Sequence, residues 1–267
     1  MFTERTLGDE LAAVRAAYAP DALVLNCATD FETLDPEVAE ELLLVTDSVD
    51  PLAIDPSWVP STAPDQLHQY ADAEFTVGLP GDGGVVWTTQ TTPACVLVKP
   101  RLETSPDSFV DFLVAEALVQ TGLGEPETFL GFFGDRYADL AAVTDPRLDP
   151  AGTYQLAVAL YEAYLGLRTR EAFETWAADY PDLHAAWADA GDRLQPRLSD
   201  LSSEVARGQT NFPAAAELAC SAVKHGLDLP TPFAALDTDA YREHGAEYAV
   251  QWAETTFEKL RDGDDGE

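Results

Sequence analysis

Lysine is almost missing from this chain. It occurs only as Lys99, Lys224 and Lys259, and Lys plus Arg number 15 against 48 Asp plus Glu in 267 residues. The formal net charge is −33. The imbalance is not confined to a tail, because residues 1–100 hold 17 acids and 3 bases and residues 101–267 hold the remaining 31 and 12. A surface this acidic lacks the basic face that phosphate backbones require, which argues against a nucleic-acid partner. The local basic groupings, Arg168-Thr169-Arg170 and Arg193 to Arg197, both lie among acids. The carboxylate-rich, lysine-poor composition suits a cytoplasm that holds molar salt. Self-repulsion at such charge weakens a compact state in dilute buffer, whereas at about 1 M salt the Debye length falls to roughly 3 Å and most of it is screened.

Other absences narrow the field further. No run of about 18 apolar residues occurs, so no membrane-spanning helix is expected. The opening MFTERTLGDE has neither a basic nor an apolar region, so no secretory signal is read and the expected location is cytoplasmic. The three cysteines, Cys27, Cys95 and Cys220, form no CxxC and sit among apolar neighbours, which predicts buried free thiols. The four histidines are scattered, with no HExxH, no di-iron pair and no EF-hand loop, so neither a metal nor a cofactor is expected. No GxSxG elbow is present.

What is present reads as α+β: a small antiparallel β-meander with flanking helices, followed by a mostly helical C-terminal half. Leu7, Leu11, Val14 and Tyr18 recur at helical spacing. Residues 22–27 (ALVLNC) form a short apolar run that predicts a strand. Asp35-Pro36 reads as a cap and first residue of a helix reaching about Ser48. Phe75 to Leu79, Val85 to Thr89 and Ala94 to Val98 are expected to pair as the meander, with the glycines of Pro80-Gly-Asp-Gly-Gly84 turning the first hairpin. Ser105-Pro106 should open a helix ended by Gly122. Further helices are expected at Glu127 to Phe133, Asp135 to Val143, from Pro150 through Leu167, at Glu171 to Tyr180, from Asp182 to Arg207 with a break at Pro196, at Pro213 to Lys224, and from Thr238 to Leu260. This divides the chain into an α+β region at 1–149, a helical region at 150–262 packed on it, and a disordered acidic tail at 263–267.

Two segments carry candidate site residues. From Gly81 to Lys99 a glycine-rich hairpin leads to a strand ending in lysine, and the next helix places Glu116 among apolar neighbours. These parts follow the order of a protein-kinase N-lobe, but Val86 stands where a third glycine is needed and neither HRD nor DFG follows. By strand alternation Cys95, Leu97 and Lys99 share one face and Val96 and Val98 the other. Lys99 therefore reads in two ways: as a strand-end lysine with its ammonium in solvent, or as a buried lysine paired with a carboxylate, Glu116 first. The second segment, Phe129 to Tyr137, sets three phenylalanines and a tyrosine around Asp135-Arg136. A packed helix corner, with Asp135 as cap and Arg136 exposed, is the plain account. The candidate binding residues are therefore Lys99, Arg101, Glu116, Asp135 and Arg136, with no catalytic set.

The stretches GDGGVVWTTQTTP, DSFVDFLVAEALV and FLGFFGDRYADL resemble a family of haloarchaeal proteins of unknown function, and the likeness covers most of the chain. The resemblance implies a haloarchaeal source and a cytoplasmic protein, and no activity. The absence of a catalytic constellation favours a non-catalytic protein that binds another protein. The alternative is a small-molecule or anion binder, or an enzyme, with a pocket between sheet and helices and Lys99, Arg101 and Arg136 as anion contacts.

Salt dependence follows from the charge count. Thermal unfolding followed by circular dichroism is expected to show a midpoint that falls as potassium chloride is lowered from molar to tens of millimolar. A constant midpoint would contradict the salt-adapted reading.

Overall fold

The computed structural model describes residues 2–72, 75–145 and 147–264. In chain order the elements are β1 (Phe2–Glu4), α1 (Asp9–Tyr18), β2 (Leu23–Cys27), α2 (Pro36–Ala39), β3 (Ser48–Val49), α3 (Asp65–Asp72), β4 (Val85–Thr88), β5 (Thr91–Thr92), β6 (Cys95–Val98), α4 (Asp107–Leu123), α5 (Phe129–Phe133), α6 (Arg136–Thr144), α7 (Pro150–Thr175), α8 (Pro181–Ala206), α9 (Phe212–Ser221) and α10 (Asp239–Asp264). Short 3-10 turns intervene, among them Glu40–Leu44 directly after α2 and Pro100–Leu102 after β6. The chain is α+β with a mostly helical C-terminal half.

Two compact units are assembled from interleaved stretches. The first holds residues 1–53, 72–127 and 171–189; the second holds 54–71, 128–170 and 190–267. The position expected as a boundary, residue 149, falls inside the second unit. The acidic end is helical as far as Asp264, and the rest of the expected 263–267 tail lies outside the described residues.

The first unit is built on a four-stranded sheet in the order β1-β2-β6-β4. The sheet is mixed, which corrects the expected antiparallel meander: β2 and β6 run parallel, Leu23 opposite Cys95 through Asn26 opposite Val98, while β1 and β4 flank them antiparallel. The segment expected as the first meander strand, Phe75 to Leu79, is buried but joins no ladder. Gly78 has a φ of +82° there, and a β-carbon on it would lie 2.6 Å from the Glu32 carbonyl oxygen. Thr91–Thr92 pairs instead with Ser48–Val49 as a separate two-stranded sheet, so the helix begun at Asp35 gives way before Ser48. Its start is as expected, with the Asp35 carboxylate accepting from the Glu37 amide at 3.0 Å.

The central strand β6 is buried at all four positions. Val96 and Val98 pack with Val24 and Trp87 against Leu11 and Val14 of α1 and Phe112 and Leu118 of α4. Cys95 and Leu97 pack with Leu25, Leu34, Phe75 and Val77 on the other side. A strand covered on both faces has no polar alternation to show, hence the continuous apolar run. The same logic explains α4, whose residues from Val114 to Gln120 are all buried. Its buried Gln120 accepts from the Trp87 indole nitrogen at 2.9 Å, so neither polar group is stranded.

The α4 helix ends at Gly124, φ +70°, rather than at Gly122. Gly122 serves a close helix crossing instead. A β-carbon there would collide with the Tyr18 carbonyl oxygen, so α1 and α4 meet where only hydrogen fits.

In the second unit aromatic side chains carry the packing. Phe129 meets Tyr137 and Tyr154 edge-on, with ring centroids 5.4 and 5.3 Å apart. Phe132 packs against Tyr161 and Tyr164. Phe212, Phe233, Trp252 and Phe257 form another group. The Tyr241 hydroxyl donates to the Leu160 carbonyl at 2.6 Å. Two expected interruptions do not occur. α7 runs on to Thr175, through the start of the helix expected at Glu171, and α8 continues through Pro196. Proline forfeits one backbone hydrogen bond in a helix interior, and buried Leu198 and Leu201 just beyond it hold the α8 register.

The close crossing at Gly122 makes a definite expectation. Gly122→Ala gains helix propensity of about 1 kcal/mol but forces α1 and α4 apart, a cost of typically about 1–3 kcal/mol for overpacking. Urea denaturation should show a net loss of stability; a gain would mean that the helices separate freely at this point.

Candidate functional site

The carboxyl ends of the parallel pair β2 and β6 lie beside the first turn of α4. A cavity of about 340 Å³ opens there, lined by Arg5, Asn26, Cys27, Val98, Lys99, Pro100, Leu102, Glu103, Ser105, Asp107 and Val110. Crevices at the carboxyl ends of parallel strands are where α/β sheets commonly take ligands. Two basic residues, Arg5 and Lys99, and two exposed acidic ones, Glu103 and Asp107, are among its lining.

Lys99 is the feature that sets the site apart. It continues the β6 ladder by one residue, its amide donating to the Gly84 carbonyl at 2.8 Å. It is 1% exposed, so the structure selects the buried reading over a strand-end ammonium in solvent. Its ammonium has no hydrogen-bond partner among the described residues and lies 4.6 Å from the centre of the Phe31 ring. Burial drives its pKa down; Asp82, Glu32 and Asp30 oppose that shift and Arg101 adds to it. The expected pairing with Glu116 is absent. Glu116 is buried in α4, and α4 covers the Val96 and Val98 face, whereas the pleat sends Lys99 to the Leu97 side.

Arg101 does not share this isolation. Its Nε donates to both Asp30 carboxylate oxygens at 2.8 and 2.9 Å, and one terminal nitrogen donates to the Phe31 carbonyl and to Glu32 at 3.0 and 2.8 Å. These hydrogen bonds hold the Asp30 and Glu32 carboxyls below their ordinary range. Arg101 thereby fastens the loop after β2, and with it Phe31 over Lys99.

Arg5 at the start of the chain was not singled out by sequence reasoning. It donates to the Asn26 side chain at 3.2 Å and, at 3.4 Å, to Asp111. Its Nε is buried with no hydrogen-bond partner among the described residues. The available signal was its rarity, as one of three bases in residues 1–100.

The remaining sequence candidates, Asp135 and Arg136, belong to the second unit. Asp135 stands at the N-cap of α6 without making a side-chain cap bond. Arg136 is exposed and lies 4.0 Å from Glu247, beside a groove of about 420 Å³ whose lining includes Asp139, Glu247, Gln251 and Glu254. The aromatic residues around them pack as a helix corner, the plain account of this segment.

A second polar cluster in the first unit also escaped the sequence. Glu127 accepts from the Thr88 hydroxyl at 2.8 Å, the Thr89 amide at 3.0 Å and the Gln90 side-chain nitrogen at 2.8 Å. Gln90 donates further to the Thr76 carbonyl at 2.8 Å and accepts from the Leu52 amide at 3.1 Å. Burial outweighs these three hydrogen bonds and pushes the Glu127 carboxyl up from 4.5 to about 7. The cluster joins the β4–β5 turn to the chain after α4 and is a structural knot.

The three thiols are free and buried, as expected, and burial raises Cys27 to about 11 and Cys95 above its ordinary value. Among the described residues no three His, Cys, Asp or Glu side chains are grouped to hold a metal ion. Among the same residues, no helix is long and apolar enough to cross a membrane.

The architecture is thus that of an α+β protein with a ligand-sized cavity at the end of a parallel strand pair. The chain belongs to the Family of unknown function (DUF7089), whose model matches residues 1–260. No curated protein and no solved structure matches it.

Glu127 supplies a pH test. A carboxyl whose folded pKa lies above its unfolded value stabilises the fold fully at low pH, and that stabilisation is lost as pH rises through the folded value. Stability at constant salt is therefore expected to fall between about pH 4.5 and pH 7. Glu127→Gln should flatten that part of the profile; the same slope in the variant would remove Glu127 as its source.

Proposed function

We propose that the protein binds a small organic or inorganic anion, a carboxylate or phosphate, in the cavity at the carboxyl ends of β2 and β6, and that it does so in the cytoplasm of a salt-adapted archaeon. The observation that carries this is that Arg5 and Lys99 both line the cavity and that each has a buried nitrogen lacking a hydrogen-bond partner among the described residues. In a chain of net charge −33, two such groups at one cavity are costly unless something negative completes them. Arg5, partly exposed with its planar donors at the cavity, makes the contact. Lys99, enclosed under Phe31, adds positive charge that solvent does not screen. That suits molar salt, where exposed charges beyond roughly 3 Å scarcely attract. The acidic lining residues Glu103 and Asp107 repel extended polyanions and favour a compact ligand.

Thermal unfolding in molar potassium chloride with added phosphate, sulfate or succinate tests the reading. The midpoint of the wild-type chain should rise with the concentration of at least one of these anions, and the rise should disappear in Arg5→Gln and in Lys99→Met. No response to any of them, or an undiminished response in both variants, would defeat the proposal.

A further inference from the structure

Five large hydrophobic side chains are exposed among the described residues, and three of them are consecutive: Leu43 at 49%, Leu44 at 84% and Val45 at 44%. They sit at the end of the 3-10 turn Glu40–Leu44, and the preceding residue, Leu42, is wholly buried and anchors that turn in the core. The backbone here is tied down: the amides of Val45 and Thr46 both donate to the Leu42 carbonyl, at 3.0 and 2.9 Å, and the Thr46 hydroxyl donates to it at 2.8 Å. An apolar tip fixed in this way is already organised for contact, so little ordering entropy is lost when it is covered.

The turn is flanked in sequence by acidic residues. Asp35, Glu37, Glu40, Glu41, Asp47 and Asp50 are all exposed around the turn, and no Lys or Arg occurs between Arg15 and Lys99. A second copy of the chain would bring two such acidic rims together, and an anionic membrane surface would be repelled in the same way. A partner that opposes basic side chains to the rim and an apolar groove to the tip satisfies both features.

We infer that the Leu43-Leu44-Val45 turn is a docking surface for a protein segment that presents an apolar face bordered by lysine or arginine. The surface is separate from the cavity beside Lys99, and it gives a place to the protein-binding role favoured by the lack of a catalytic constellation in the sequence. The apolar contact supplies affinity that persists in salt, while the charged rim selects the sign of the partner.

The test uses the full chain and a fluorescein-labelled helical peptide of leucine and arginine at amphipathic spacing, with a peptide of leucine and glutamate as control. Anisotropy titrations are run over a potassium chloride series, from molar down to the lowest concentration at which circular dichroism shows the chain folded, and the two peptides are compared at the low end, where the charged rim is least screened. The arginine peptide should bind, and Leu43→Ser combined with Leu44→Ser should weaken it by at least about tenfold, the loss expected when a central apolar anchor is truncated. Leu260→Ser, at another exposed hydrophobic, should leave binding unchanged, and unfolding midpoints of the variants should match the wild type because the altered side chains face solvent. Equal binding of the glutamate peptide, undiminished binding by the double variant, or no binding of the arginine peptide would overturn the inference. So would sedimentation showing a wild-type dimer that the double variant makes monomeric, because the occupant would then be a second copy.

Discussion

The burial of β6 on both faces is the constraint on which the first unit depends. Cys95 to Val98 can be apolar throughout only because α1 and α4 cover one side and the segments around Leu34 and Phe75 cover the other. That double cover in turn needs α1 and α4 close together, which Gly122 permits. It also fixes what happens at the strand's end. The ladder continues to Lys99, so the pleat places a lysine where a hydrophobic residue would be expected, under Phe31 and behind the loop that Arg101 secures to Asp30 and Glu32.

A buried ammonium costs several kcal/mol when it is not compensated. Here compensation comes at a distance, from the field of Asp82, Glu32 and Asp30 and from the face of the Phe31 ring. Exposed lysines are readily replaced under pressure for an acidic surface, whereas an enclosed one is held by its surroundings. Lys99 is one of three lysines in the chain and is enclosed in this way. Lys224, another of the three, is also largely enclosed, with a side chain 12% exposed, but it pairs with Glu162 at 3.2 Å.

Two contrasting sets of polar groups stand out in the first unit. Glu127, Gln90, Thr88 and Thr76 satisfy one another and brace a turn; Trp87 and Gln120 do the same across the core. Arg5 and Lys99 are left with donors to spare beside a cavity. A closed network rigidifies, and donors without partners at a crevice invite a ligand.

Several features were determined by the sequence alone. The charge imbalance, the absence of a long apolar run, the strands at 22–27, 85–89 and 94–98, the Asp35 cap and the buried thiols all follow from composition, local propensity or a period of two, whereas the burial of Lys99 was one of two readings and needed the fold to decide it. Tertiary structure decided the rest. Strand direction depends on which neighbour a strand meets, and nothing local to residues 23–27 announces a parallel partner about 70 residues away. Gly78 and Gly122 are read from sequence as strand and cap, but close approach of Glu32 and Tyr18 explains them. The partner expected for Lys99 failed because alternation identifies the face a residue occupies, not the element that covers it: α4 covers the opposite one. Arg5 and Glu127 entered their clusters through contacts of long sequence separation, which no periodicity encodes. Local chemistry sets what each segment can be, and only the packing of distant segments determines which side chains meet.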